Sequence, residues 1–137
     1  MIVRLLALIK ILVTCSCCVN HFLCCWFVNF SAADEYILRH FDKFFGAQGD
    51  ASSLLRIFDV DRRIETVSTV VKKYCLLKGL SQFAAPTRDD ILKRRVIITT
   101  LVTSLTLSEL NVKNRFSHIF IDEAAQVRNC FDIEIVI

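Results

Sequence analysis

Glycine and proline are nearly missing from this chain, three and one respectively among 137 residues. That scarcity leaves little room for flexible linkers, and no low-complexity tract or internal repeat is visible. An excess of one charge is missing too. A net charge of +3, with acids and bases mixed along the chain, does not by itself argue for a polyanionic partner. No serine sits in a nucleophile elbow, and His40 and His118 have neither a paired acid nor a second ligand at metal spacing. A core or surface role is expected for both histidines. The length suits one domain with a modest core.

Charge is also absent locally. Met1 to Phe30 holds only Arg4 and Lys10, and residues 11–30 hold none, a stretch of twenty that could cross a bilayer as a helix. Two basic residues near the amino end fit a signal sequence or signal anchor. Asn20, His21 and Asn29 interrupt the run, and no small-residue cleavage site follows it. The sequence therefore predicts an apolar helix within 1–30. Five of the seven cysteines fall between Cys15 and Cys25. Cys15 and Cys18 have the gap of a zinc half-site, which His21 could join, but no second pair matches. An apolar cysteine-rich segment is the preferred reading, since free cysteine behaves as a small hydrophobe. A secreted disulfide scaffold would spread its cysteines along the chain. Cys75 and Cys130 read as buried or half-buried thiols.

Beyond residue 30 the pattern becomes that of a mixed α/β domain. Ser31 can cap a helix entered through Ala32-Ala33-Asp34-Glu35, and Tyr36, Ile37, His40, Phe41, Phe44 and Phe45 recur at helical spacing. Gly46 and Gly49 end that helix. Leu54 to Phe58 is a candidate strand. Val67, Val70, Val71, Tyr74 and Cys75 fit a helix face, although their β-branched content weakens it. Thr87 with Asp90 resembles a capping box before a short helix to Lys93. Val96 to Thr100 reads as a strand buried on both faces, Leu105 to Leu110 as a short helix, and His118 to Ile121 as a strand. Strands separated by helices imply parallel pairing.

The motif with the most chemistry is Asp122-Glu123-Ala124-Ala125-Gln126, directly after Ser117-His118-Ile119-Phe120-Ile121. An apolar run ending in adjacent carboxylates is what a buried parallel strand looks like when it delivers acids to its carboxyl end. Open α/β sheets bind ligands at that edge. The pair suits a Mg²⁺–nucleotide site, one carboxylate holding the metal's water shell and the other taking a proton from attacking water. The alternative is an ordinary strand ending in a solvated acidic turn. Lys93-Arg94-Arg95 is too short for a polybasic cluster and reads as a solvated face.

Upstream, Arg95-Val96-Ile97-Ile98-Thr99-Thr100-Leu101-Val102-Thr103-Ser104 runs from strand into a cluster of hydroxyls. This order, followed by the acidic motif, resembles the first motor domain of superfamily 1 helicases. Ser31-Ala32-Ala33-Asp34 resembles the motif after an early strand of that domain. Val70-Val71-Lys72-Lys73-Tyr74-Cys75-Leu76, Asp89-Asp90-Ile91-Leu92-Lys93 and Arg95-Val96 look like the helicase with zinc finger family, which belongs with the helicases related to nonsense-mediated decay. The resemblance covers Ser31 to Gln126. It implies an incomplete RecA-like P-loop NTPase domain with a short parallel sheet over 31–126, preceded by the apolar leader 1–30 and followed by a divergent tail, 127–137.

By resemblance, Asp122 holds Mg²⁺ through water, Glu123 positions or deprotonates the attacking water, and Gln126 senses the γ-phosphate of ATP. Ser31, Thr99 and Thr100 are the implied contacts to single-stranded RNA. Equally, Ser31 can merely cap its helix and the threonines merely favour a strand. The implied activity is ATP hydrolysis coupled to movement along RNA, in the cytoplasm. The family's phosphate loop carries a Gly-Lys pair, which occurs nowhere in this chain, and its second motor domain is lacking, so a fragment with weak nucleotide binding and no turnover is expected. A small membrane-anchored binding protein, inserted through 11–30, is the competing hypothesis. Because agreement begins abruptly at Ser31 and lapses after Gln126, unrelated translated sequence at both ends is the preferred account of the leader and tail.

Overall fold

A run of Val-Ile-Ile-Thr-Thr offers almost nothing to water, and Val96–Thr100 is buried at all five positions. The computed structural model describes residues 23–27, 33–35, 37–44, 51–112 and 114–121, with the backbone alone at 23–27, 44, 51 and 121. Its main sheet joins Leu23–Phe27 (β1), Leu54–Arg56 (β2), Val96–Thr100 (β5) and His118–Ile121 (β6) in the order β2-β5-β1-β6. All three pairings are parallel. β2 extends one bond further, through the Ile57 N–H to the Ile98 carbonyl at 2.9 Å.

β1 corrects one expectation. Leu23–Phe27 is a strand between β5 and β6, and so cannot belong to an apolar helix. A continuous apolar run carries no period-two alternation, so its pattern alone does not tell a strand from a helix. The sheet thus begins upstream of Ser31. Residues 1–22 and 28–30 lie outside the described residues, as do Cys15, Cys18 and His21. Among the described residues no helix is long and apolar enough to cross a membrane.

Two apolar layers cover the sheet, set by alternation along its strands. Leu54, Phe58, Val96, Ile98 and Phe120 face a layer built from Ala33, Ile37, Phe41, Val67, Val71, Tyr74 and Phe83. Leu55, Ile97 and Ile119 face the other, with Ile91, Leu107 and Val112. Ala33 to Glu35 are helical, a π-helix spans Ile37–Phe41, and a short α-helix spans Asp42–Phe44 (α1). The expected apolar face survives there through Ile37 and Phe41. α2 (Thr69–Lys72), capped by Ser68, buries Val71 and leads to Tyr74, whose hydroxyl donates to Asp42 at 2.7 Å. A hairpin of Leu77–Lys78 (β3) and Gln82–Phe83 (β4), absent from the sequence reading, turns at Gly79, φ 69°. Glycine suits that left-handed turn because it lacks Cβ.

α3 (Arg88–Leu92) forms as its sequence dictates. The Asp90 amide donates to the Thr87 hydroxyl at 3.2 Å, and the Thr87 amide donates back to Asp90 at 2.9 Å, closing the capping box. Thr87→Ala should cost about 1 kcal/mol of stability, read as a lower urea midpoint. The side-chain and then the backbone hydrogen bond from Thr87 hold the Asp90 carboxyl below its ordinary value. A depressed carboxyl stabilises the fold above the ordinary carboxylate range and loses that contribution as pH falls through the folded value. The gap between wild type and Thr87→Ala should therefore be full at neutral pH and shrink in acid; a gap indifferent to pH would remove Asp90 from the account.

Candidate functional site at the carboxyl edge of the sheet

Parallel strands share a direction, so β1, β5 and β6 all end at one edge. Trp26 is in register with both Thr99 and Ile121, and Phe27 with Thr100. Two strand spacings separate Ile121 from Thr99, roughly 10 Å. β6 ends at Ile121, the residue before Asp122. Asp122, Glu123, Gln126 and Ser31 lie outside the described residues, so the structure brings the strand that leads to the acidic motif, rather than the carboxylates themselves, to the edge bearing the threonine turn.

Both threonines are described, and both are buried. Thr100 is the N-cap of α4 (Leu101–Ser108): its hydroxyl accepts from the Thr103 amide at 3.4 Å and meets the Thr103 hydroxyl at 2.9 Å. Thr99 donates to the Thr100 carbonyl at 3.2 Å. The helix thus begins four residues before the expected Leu105, because Thr103 and Ser104, read as part of a hydroxyl-rich loop, satisfy their hydroxyls inside its first turns. The Ser104 hydroxyl donates to the Leu101 carbonyl at 2.6 Å. These bonds engage the threonine and serine hydroxyls within the fold, together with the Thr103 amide.

Beside this turn, Ile57, Phe58, Asp59, Val60, Pro86 and Thr103 line part of a shallow pocket of about 90 Å³. Small-molecule sites run to roughly 300–1,000 Å³, so the pocket is too small to hold a nucleotide. Asp59 shapes its rim by accepting from the Asp61 amide at 2.9 Å.

Other candidates fall elsewhere. His118 opens β6, at the opposite edge, where its ring lies parallel to Phe120 with centroids 6.3 Å apart. His40 is half-buried, and no metal-binding group of His, Cys, Asp or Glu occurs among the described residues. Cys75 is half-buried, its thiol donating to the Val71 carbonyl at 3.2 Å, and burial pushes that thiol up to about 12. It is an inert thiol at neutral pH. Of the basic triplet, Lys93 is exposed as expected, whereas Arg94 and Arg95 are half-buried before β5. Arg94 donates to the Ser52 carbonyl and the Arg95 amide to that of Ser53, tying the loop to β2.

Arg56 was not singled out in the sequence. Its signal was available: a cation within Leu54-Leu55-Arg56-Ile57-Phe58, otherwise apolar, has no route to water and needs a partner. That partner is Asp34, at 3.0 Å.

Over 102 residues, 73% of this chain, the sequence is 40% identical to the human "Probable helicase with zinc finger domain" and 38% to its zebrafish (Danio rerio) counterpart. Over the same length it is 37% identical to the human "3'-5' exoribonuclease HELZ2". The chain spans only 5%, 6% and 3% of those three proteins respectively. No protein-family profile matches the chain, and no solved structure does.

Proposed function

We infer, from the premise that this chain shares its main segment with the helicase with zinc finger family, that it is part of an ATP-driven, single-stranded RNA motor domain. The supporting observation is the shared carboxyl edge, where the threonine turn after β5 and the end of β6 lie on either side of β1. In this reading residues 31–126, with β1 ahead of them, form the RecA-like piece. Asp122 would hold Mg²⁺, Glu123 would orient or deprotonate the attacking water, and Gln126 would report the γ-phosphate.

When bound, Mg²⁺ would supply charge neutralisation for the triphosphate. The donor set fits the metal better than the phosphates. Phosphate binding needs free N–H and cationic donors, whereas the Thr99 and Thr100 hydroxyls are engaged within the fold. RNA contact from Thr99 and Thr100 is therefore assigned to backbone N–H groups at the start of α4, which bind phosphates without reading bases. Ser31 supplies a further contact.

With no Gly-Lys pair available, Mg²⁺–ATP binding should be weak and turnover absent. A phosphate-release assay on the purified chain, with single-stranded RNA present, should give the rate of a blank. Steady turnover abolished by Glu123→Gln would overturn the inactivity. Retained RNA binding, falling steeply with added salt, is the expected positive result.

A further inference from the structure

The β3–β4 hairpin has no part in the function proposed above. Its base is well held: the Ala84 amide donates to the Leu76 carbonyl at 2.9 Å, and buried Phe83 packs on Phe58 with ring centroids 4.6 Å apart. Beyond that base the chain leaves the core. Lys78, Gly79, Leu80, Ser81 and Gln82 are all exposed, Leu80 at 96%. The core uses Phe83 and nothing of the loop before it, so packing does not account for what the loop carries.

Charge sets the loop apart. Acids and bases mix over the chain as a whole, but residues 66–88 hold Lys72, Lys73, Lys78 and Arg88 and no acid. Leu77 is in register with Phe83, and Lys78 with Gln82. Cross-strand partners share a face, so Lys78 and Gln82 lie on the side of the hairpin away from Phe83. Lys73, exposed at the end of α2, precedes the hairpin. Neither Lys73 nor Lys78 forms an ion pair among the described residues.

Position indicates the partner. Phe58 lies past the carboxyl end of β2, so the hairpin is rooted at the carboxyl edge of the sheet. Ala85 and Pro86, which leave β4, line the same pocket as Thr103 and Thr106 of α4. The hairpin therefore stands beside the turn to which RNA contact is assigned above. Residues 96–108, which form that turn and its helix, contain no cation, and a phosphate backbone is bound chiefly by lysine and arginine. The hairpin supplies the missing charge. A membrane surface fits less well, because even one acyl chain anchors only marginally and Leu80 is alone at the apex.

We propose that the β3–β4 hairpin is a second contact for single-stranded RNA, with Lys73 and Lys78 pairing with backbone phosphates and Leu80 lying against a base. This rests on the nucleic-acid reading given above. The test is anisotropy of fluorescein-labelled decauridylate titrated with the full chain over a series of salt concentrations. Wild type is compared with Lys73→Ala/Lys78→Ala and with Leu80→Ser, each with a melting curve. The lysine variant should bind roughly tenfold more weakly, the worth of two exposed ion pairs. Its plot of log affinity against log salt should be shallower by about 1.4, or ~0.7 for each lost phosphate contact. Leu80→Ser should weaken binding about threefold, for partial burial of one leucine, and leave the salt slope unchanged.

Wild-type affinity and slope in the lysine variant, or wild-type affinity in Leu80→Ser, would overturn the proposal while leaving the RNA reading intact. Sedimentation with phosphatidylserine vesicles that depends on Leu80, with RNA binding indifferent to both variants, would overturn it in favour of a membrane. All three side chains are substituted at exposed positions, where melting should shift little. Should the alanine pair melt early, Lys73→Gln with Lys78→Gln takes its place under the same criteria. A wild-type chain that binds no RNA removes the RNA reading itself, and this proposal with it.

Discussion

Asp34→Leu should destabilise the fold by about 3–5 kcal/mol, because it strands a charged guanidinium in the core. Arg56 keeps its bond to the Ile57 carbonyl and its place against Phe58, but neither contact is anionic. Water cannot reach it either, since its side chain is 0% exposed against 18% for Asp34. The informative comparison is Asp34→Leu with Arg56→Met, which removes both charges. Buried ion pairs exchanged together for apolar side chains come out near neutral or better, so the double variant should recover most of the lost stability. Urea midpoints of the two singles and the double close the cycle. A double variant as unstable as Asp34→Leu would mean that geometry, rather than unpaired charge, sets the cost.

Ile97→Ala should be nearly as damaging, at about 2–5 kcal/mol. Ile97 is 0% exposed and packs with Leu55, Ile91 and Leu107 on the face opposite Arg56. β5 is hydrogen-bonded to β1 on one side and β2 on the other, so the backbone cannot collapse into the cavity. Val102→Ala is the control: that side chain is 67% exposed, and surface substitutions stay within about 0.5 kcal/mol. Similar losses at the two positions would contradict the described burial.

Where local chemistry decides structure, the sequence was legible. Thr87 and Asp90 close their box whatever surrounds them, and Val96 to Thr100 can only be buried. β6 was equally plain, and the parallel arrangement followed from strands alternating with helices. Reading failed where tertiary context decides. Leu23–Phe27 carries no polar alternation, so its apolar character pointed to a helix. The β3–β4 hairpin is two residues per strand, too short to leave a periodic trace. The threonines were found, but the direction of their hydroxyls depends on where α4 begins, which Thr100 settles by capping it. Arg56 went unremarked because a lone cation in an apolar run has no meaning until its partner, 22 residues away, is placed.

The position of β1 has a consequence for biosynthesis. Its two neighbours begin at Val96 and His118, far downstream of Leu23. A ribosome adding ~5–20 residues per second takes roughly 4–15 s to travel from Leu23 to Val96. During that interval the nascent segment Leu-Cys-Cys-Trp-Phe has been made while neither strand that will flank it exists, leaving it open to chaperones and to copies on neighbouring ribosomes.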